Sequence, residues 1–340
     1  MKTAHSVSDL VAAGLMTPEA GNAVSTVTER YAVALTPYLL ERLAGAPPDD
    51  PLYVQYIPSP EEAYTAPSEL TDPIGDHTHS PVKGIVHRYP DRVLLKPLHA
   101  CAVYCRFCFR REMVGPGGDA LSPEELDAAL AYVREHAQVW EVVVTGGDPF
   151  LLSPRRLSGI VQALAAIPHV AVVRFHTRVP VANPARVTPE LVSALRADGI
   201  TTWVAVHANH AAELTAEAAG ALGRLADAGI PLLGQTVLLK GVNDDAPTLE
   251  ALFRTLVRHR VKPYYLHHPD LAPGTSHFRP DLAHGQDLVK ALRGRVSGLC
   301  QPTYVLDIPG GHGKAPAAPS WIGPDGTVED FTGTKHRYEP

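Results

Sequence analysis

Residues 92–111 read RVLLKPLHACAVYCRFCFRR. The first six, RVLLKP (92–97), form a short β-rich run, and three cysteines follow it within eight residues. Outward from this stretch the β-rich pattern returns at WEVVVTGG (140–147), VAVVRFHT (170–177), TTWVAVHA (201–208), PLLGQTVLL (231–239) and KPYYLHH (262–268). Amphipathic runs at 122–136, 153–166, 188–198, 214–228, 246–260 and 280–293 read as helices. The first opens with a capping-box pattern, Ser122 followed three residues later by Glu125. Six strand-then-helix units in succession imply a parallel sheet with right-handed crossovers. A closed barrel needs eight. The expected fold is therefore α/β, a partial (βα)6 TIM-like barrel, with an open doubly wound sheet as the alternative on pattern alone.

In such barrels the chemistry sits at the C-terminal ends of the strands. The unusual polar residues fall there. The cysteines follow the first strand. Gly146, Gly147 and Asp148 end the second, His176 to Arg178 the third, and His207 with Asn209 the fourth. Gln235 lies within the fifth strand, and Asp270 follows the sixth. One shared site is expected.

Cys101, Cys105 and Cys108 have the spacing C-x3-C-x2-C. Three thiolates on one loop can ligate three irons of a [4Fe-4S] cubane and leave the fourth iron open. S-adenosyl-L-methionine (SAM) can fill that position through its amino and carboxylate groups. A structural zinc site, with Cys300 or a histidine as fourth ligand, is the competing reading, as are unpaired buried cysteines.

Composition sets the outer bounds. The 340 residues are 45% hydrophobic and 19% charged, enough for a sizeable core. A formal net charge of -6 gives no support to nucleic-acid or membrane-surface binding. No apolar run has membrane-spanning length, and MKTAHSVSDL has no signal-peptide segment, so the cytoplasm is expected. Four cysteines, three of them clustered, do not make a disulfide scaffold. Residues 1 to about 45 read as helical, and 46 to about 84, rich in Pro and acidic residues, as an irregular arm. The expected division is an extension at 1–84, the barrel at 85–300 and a C-terminal segment at 301–340.

That last segment contains DIPGGHGK (307–314). It is not a phosphate-binding P-loop, because Ile308 stands at the first glycine position and Ala315 follows the lysine. A lysine on a flexible glycine loop can reach into a cavity and form a Schiff base. Taken alone, an exposed Lys314 is the commoner outcome.

Nine blocks in order resemble the lysine 2,3-aminomutase family of radical SAM enzymes. They are HRYPDR (87–92), CAVYCRFCFRR (101–111), TGGDP (145–149), TRVPVANPARVTPEL (177–191), ADAGIPLLGQTVLLKGVND (226–244), RVKPYYLHHPDL (260–271), HFR (277–279), LRGRVSG (292–298) and PTYVLDIPGGHGKAP (302–316). The resemblance implies a partial (βα)6 barrel, an isomerase and three cofactors: the [4Fe-4S] cluster, SAM and pyridoxal 5'-phosphate. Cys101, Cys105 and Cys108 match the cluster ligands, and Lys314 the pyridoxal phosphate lysine. Arg88, Tyr89 and Arg92 match residues around the cofactor phosphate, a role that suits guanidinium groups. Arg110 matches the arginine on the substrate carboxylate. Asp270 and Asp307 match the carboxylates on the ε-ammonium of lysine. His207 and Gln235, with the Gly146–Gly147–Asp148 turn, match the surroundings of SAM. The lesser alternatives are that the arginines are surface ion-pair partners, Asp307 a loop residue, His207 structural and the glycines only a tight turn.

The implied partners are free L-lysine and a reducing electron donor such as flavodoxin or ferredoxin, with room for a homo-oligomer. The implied reaction removes a hydrogen from C3, moves nitrogen from C2 to C3 and returns the hydrogen. The chain departs from the pattern in three ways. It is shorter than the clostridial enzymes, it lacks a cysteine cluster after residue 300, and it carries His267 where some members have tyrosine. In length it resembles relatives that make β-lysine of opposite stereochemistry for elongation factor P. An aminomutase for another amino acid and a non-enzymatic iron–sulfur protein are further alternatives.

Overall fold

The computed structural model describes residues 2–115 and 120–338. Strands β1 (Ile85–Tyr89) and β2 (Arg92–Leu98) form an antiparallel hairpin. From β2 the chain adds parallel strands one after another: β3 (Glu141–Gly146), β4 (Val172–Thr177), β5 (Thr201–His207), β6 (Leu232–Val237), β7 (Val261–His267) and β8 (Thr303–Asp307). A short β9 (Lys314–Pro316) returns antiparallel to β8. The nine strands lie in chain order, with β1 and β9 at the two edges. A doubly wound sheet would reverse its strand order at a switch point. None occurs, so the sheet is a curled, partly open barrel.

Alternation along each strand builds two environments. Val142 and Val144 of β3, Val173 and Phe175 of β4, and Val204 and Val206 of β5 are fully buried in the layer under the outer helices. Their neighbours Glu141, Val143, Thr145, Arg174, His176, Ala205 and His207 face the lumen. The six expected helices are present as Pro123–Glu135, Pro154–Ala165, Pro189–Ala194, Ala216–Asp227, Ala246–Arg258 and Leu282–Leu292. Caps set their starts. Ser122 Oγ accepts from Glu125 N at 3.2 Å, while Glu125 accepts from Ser122 N at 2.8 Å.

Two regions differ from the sequence reading. Past residue 300 the sheet continues: Asp307 pairs with Lys314 across β8 and β9, and only 308–313 remain as a loop. Residues 46–84 are less irregular than expected. They hold the helix Pro51–Tyr56 and a 3-10 turn, Pro60–Ala63. The many prolines did not prevent this, because Pro51 and Pro60 stand at helix N-termini, where no N–H is needed. Residues 2–45 hold four short helices whose core includes Leu10, Leu35, Leu39 and Leu43. Val103 of the cysteine loop packs into that same core.

Candidate active site

A cavity of about 590 Å³ occupies the lumen and the C-terminal ends of the strands. Every residue of the expected shared site lines it except Gly146 and Asn209. Its size is that of an enclosed small-molecule site.

The cysteine loop leaves β2 and crosses the end of β3. Gly147 N donates to Leu98 O at 2.8 Å, and Asp148 N to Ala100 O at 2.9 Å. Gly146 has φ +103°, and a Cβ there would lie 2.7 Å from Leu98 O. At Gly147 a Cβ would overlap the Ala100 backbone. These glycines therefore let the stem of the cysteine loop lie directly on β3. The Asp148 carboxylate is saturated by protein. It accepts from Thr177 Oγ1 at 2.7 Å, Arg178 N at 2.7 Å, Phe150 N at 3.0 Å and Val179 N at 3.2 Å. Its visible work is to tie the end of β3 to the end of β4.

Cys101, Cys105 and Cys108 all face the cavity. Burial pushes all three thiols up; at Cys105 Arg178 opposes it, at Cys101 Asp148 and the neighbouring sulfurs add to it, and Cys108, with Cys105 beside it, reaches about 11. Arg178 Nη1 donates to Cys105 Sγ at 3.0 Å. The same guanidinium bonds Gln55 at 2.6 Å and Glu213 at 2.7 Å. Cys300 lies elsewhere, buried in the barrel core. Among the described residues no three His, Cys, Asp or Glu side chains gather as they would around a single ion. Three thiolates, with a guanidinium on one of them, suit a multi-iron cluster whose ligands each bond a different iron.

Arg88, Arg92, Arg110 and Arg174 also line the cavity. Arg92 lies over the Tyr89 ring at 3.9 Å, and Tyr89 Oη accepts from Lys314 N at 2.7 Å. Arg88 Nη2 donates to Ile74 O and, at 3.4 Å, to Asp76. Arg88 Nε is buried with no partner among the described residues. Arg110 Nε donates to Asp76 Oδ2 at 2.9 Å. Arg174 and Glu141 pair at 2.8 and 3.2 Å beside Tyr264.

Lys314 Nζ sits 2.8 and 2.7 Å from the two oxygens of Asp307. Burial opposes ionisation of Asp307, but His267 and Lys314 outweigh it and hold the carboxyl at about 2. Asp270 goes the other way. Burial first, and the charge of Asp307 second, push it up to about 7. The ring nitrogens Nε2 of His176, His207 and His267 are buried, line the cavity and have no partner among the described residues. Buried polar atoms are normally satisfied. Unpaired imidazoles and a half-paired Arg88 around one cavity fit polar cofactors, and two cavity arginines beside an accessible lysine fit a pyridoxal phosphate.

Several residues in and around the lumen were given no role by the sequence. Arg174 carried a signal, the period of two along β4 that puts it on the same face as His176. His176 and Arg178 were legible only as strand-end residues. Asp76, outside the cavity but bonded to Arg110 in its wall, carried no signal, being one acid among many in the Pro-rich arm.

Known proteins share this arrangement of sequence. The radical SAM superfamily model matches residues 95–252, which implies an iron–sulfur cluster and SAM. An L-lysine 2,3-aminomutase of Acetoanaerobium sticklandii is 43% identical over 90% of this chain and 74% of its own. That of Clostridium subterminale is 42% identical over the same shares, 90% and 74%. A glutamate 2,3-aminomutase of Clostridioides difficile is 35% identical over 89% of this chain and 72% of its own. Among the described residues no helix is long and apolar enough to cross a membrane. With the barrel, the cysteine loop and these likenesses together, the chain belongs to the lysine 2,3-aminomutase family of radical SAM isomerases.

Proposed function

We propose that this protein interconverts L-lysine and β-lysine by moving the amino group between C2 and C3, with pyridoxal phosphate attached at Lys314. The supporting observation is one cavity lined by charges of both signs: Arg110 for a carboxylate, and Asp270 with Asp307 for an ammonium. Asp307 already holds a primary ammonium on a four-carbon stem, that of Lys314. The ε-ammonium of substrate lysine is the same chemical group. A glutamate side chain would instead bring a third carboxylate to two.

When bound, the cluster and SAM supply a carbon radical that takes and returns hydrogen, and pyridoxal phosphate supplies a ring that delocalises the unpaired electron. The chain's own residues do the rest. Cys101, Cys105 and Cys108 hold the cluster, and Arg178 fixes one thiolate. Gly147 and Asp148 seat the loop, and His207 and Gln235 border SAM. Arg88, Tyr89 and Arg92 hold the cofactor phosphate. Arg110 and the two aspartates fix the substrate at both ends, so that C3 has one position. Small displacements from such a position can cost ~10²-fold in rate. A small reducing electron carrier and a cytosolic setting, where thiols stay reduced, belong to this reading.

The test is anaerobic. Protein reconstituted with iron, sulfide, pyridoxal phosphate, SAM and a reductant is incubated with L-lysine and, separately, L-glutamate, followed by chiral analysis. Formation of β-lysine is expected, and its enantiomer assigns the subgroup. Turnover of glutamate with none of lysine would reject the proposal.

A further inference from the structure

Asp76 belongs to the arm, in a stretch whose composition suggested only an irregular wrap. Its carboxylate is wholly buried and outside the cavity. Three cations converge on it. Oδ2 accepts from Arg110 Nε at 2.9 Å and faces Lys96 Nζ at 3.5 Å, and Oδ1 faces Arg88 Nη2 at 3.4 Å. Among the described residues it is the only carboxylate hydrogen-bonded to any of the three. Burial opposes its ionisation, but Arg110, Lys96 and Arg88 together hold the carboxyl at about 2.

The geometry of the Arg110 contact matters. Arg110 meets Asp76 through Nε, and no described residue accepts from its two Nη atoms. Two free Nη groups form the fork that grips a carboxylate in parallel. The carboxylate that fixes one edge of the guanidinium therefore leaves the other edge for a ligand. The same anion reaches Arg88, so the two arginines share one anchor. Without it, three buried cations would repel one another.

Asp76 is itself well braced. Its N–H donates to Asp72 Oδ1 at 2.8 Å, and its carbonyl accepts from Ser80 Oγ at 2.8 Å. Gly310 N, in the loop that leads to Lys314, donates to Pro73 O at 3.2 Å. The brace thus ties the arm to the lysine loop as well.

We propose that Asp76 is a positioning residue: it aims the free edge of Arg110 at the substrate carboxylate and holds Arg88 at the cofactor phosphate, fixing the spacing between the two anion sites. The proposal rests on the roles given above to Arg110 and Arg88.

The experiment uses the reconstituted holoenzyme with Asp76→Asn, at saturating pyridoxal phosphate. The KM for lysine should rise about tenfold or more, as expected for the loss of a hydrogen bond to a charged group. This should exceed any fall in kcat. The inhibition constant of 1,5-diaminopentane, which keeps both amino groups but has no carboxylate, should not change. Separately, an absorbance titration without substrate should show weaker pyridoxal phosphate binding, with iron content unaltered. A purely structural role would weaken lysine and the diamine alike, and that result would overturn the proposal. If Asp76→Asn does not fold, the double variant Asp76→Asn/Lys96→Met removes the anion while keeping the buried net charge, and the same split should appear. Arg110→Met is measured in parallel. A normal lysine KM in Arg110→Met removes the site assignment beneath the proposal, whereas a normal KM in the Asp76 variants alone removes only Asp76. Should the unmodified protein not convert lysine, the functional reading falls, and the pyridoxal phosphate titration still decides whether Asp76 governs Arg88.

Discussion

Asp270 and Asp307 are two carboxylates in one closed pocket, and they cannot both ionise freely. The structure separates them: Asp307 is held at about 2 and Asp270 is pushed up to about 7. A cation bound between them favours the ionised form of Asp270. Affinity for a cationic side chain should therefore rise as pH passes upward through about 7 and level off above. Below that value kcat/KM for lysine should fall roughly tenfold per pH unit, since one pKa unit is about 1.4 kcal/mol. Asp270→Asn should abolish this acid limb. A pH–rate profile that keeps the limb in Asp270→Asn would sink the assignment. Asp307→Asn should do different damage, since it leaves a buried ammonium unpaired. Removing one partner of a buried pair typically costs roughly 3–5 kcal/mol, or about 10²–10³ or more in kcat/KM. Iron content and pyridoxal absorbance should survive both changes.

The contact between the arm and the glycine loop shows what a sequence can and cannot disclose. Gly75 of the arm has φ +66°, and a Cβ there would lie 2.7 Å from Gly311 Cα. Gly311, at φ +88°, would in turn meet the His79 ring at 2.9 Å. The glycines of DIPGGHGK therefore serve close packing of the arm on the loop before Lys314. Gly75→Ala should lose more than the ~1–2 kcal/mol that a left-handed backbone costs a residue with a Cβ. Gly229→Ala is the comparison, at φ +79° with open space around it. Thermal melts should separate the two variants, and only Gly75→Ala should shed pyridoxal phosphate. Equal behaviour of the two would show that the contact carries nothing. The six central strands and six outer helices were legible because burial imposes a period on them, with capping residues such as Ser122 marking the starts. β8, β9 and the arm were not. Their residues are placed by partners distant in sequence, as Lys314 is by Tyr89 and Asp76 by Arg110. The cysteines and Lys314 were found through spacing and motif, which are local. Asp76 and Arg174 were missed because their significance lies in partners distant in sequence, Arg110 for the one and Glu141 for the other.

At the scale of the molecule, the cysteine loop is the joint between the N-terminal extension and the barrel. The loop packs on both neighbours. The cysteines line the cavity, Val103 lines it and also joins the core of the extension, and Tyr104 packs with Ala34. Arg106, only 1% exposed, reaches back to the arm: Nε lies 3.0 Å from Glu62 Oε1, and Nη2 2.6 Å from Glu62 Oε2. Arg111 binds the same carboxylate, and Arg106 N donates to Gln55 O at 2.9 Å. Gln55 completes the circuit through Arg178, which bonds Cys105. A group held by the three thiolates would therefore clamp the loop, and with it the helix Pro51–Tyr56. Ligands that bind only the folded form stabilise it, and metal centres do so strongly. Removing the iron by anaerobic chelation should consequently loosen the arm before the barrel. Hydrogen–deuterium exchange should quicken across Pro51–Tyr56 and Pro60–Ala63. It should stay unchanged in Leu282–Leu292, whose buried face joins the barrel core. Cys105→Ala should reproduce the pattern, since it removes the thiolate that Arg178 touches. Cys300→Ala should not, because that side chain lies in the barrel core. Equal exchange in the iron-loaded and iron-free forms would mean that arm and cluster are independent. The Glu62, Gln55 and Arg178 contacts would then be packing alone.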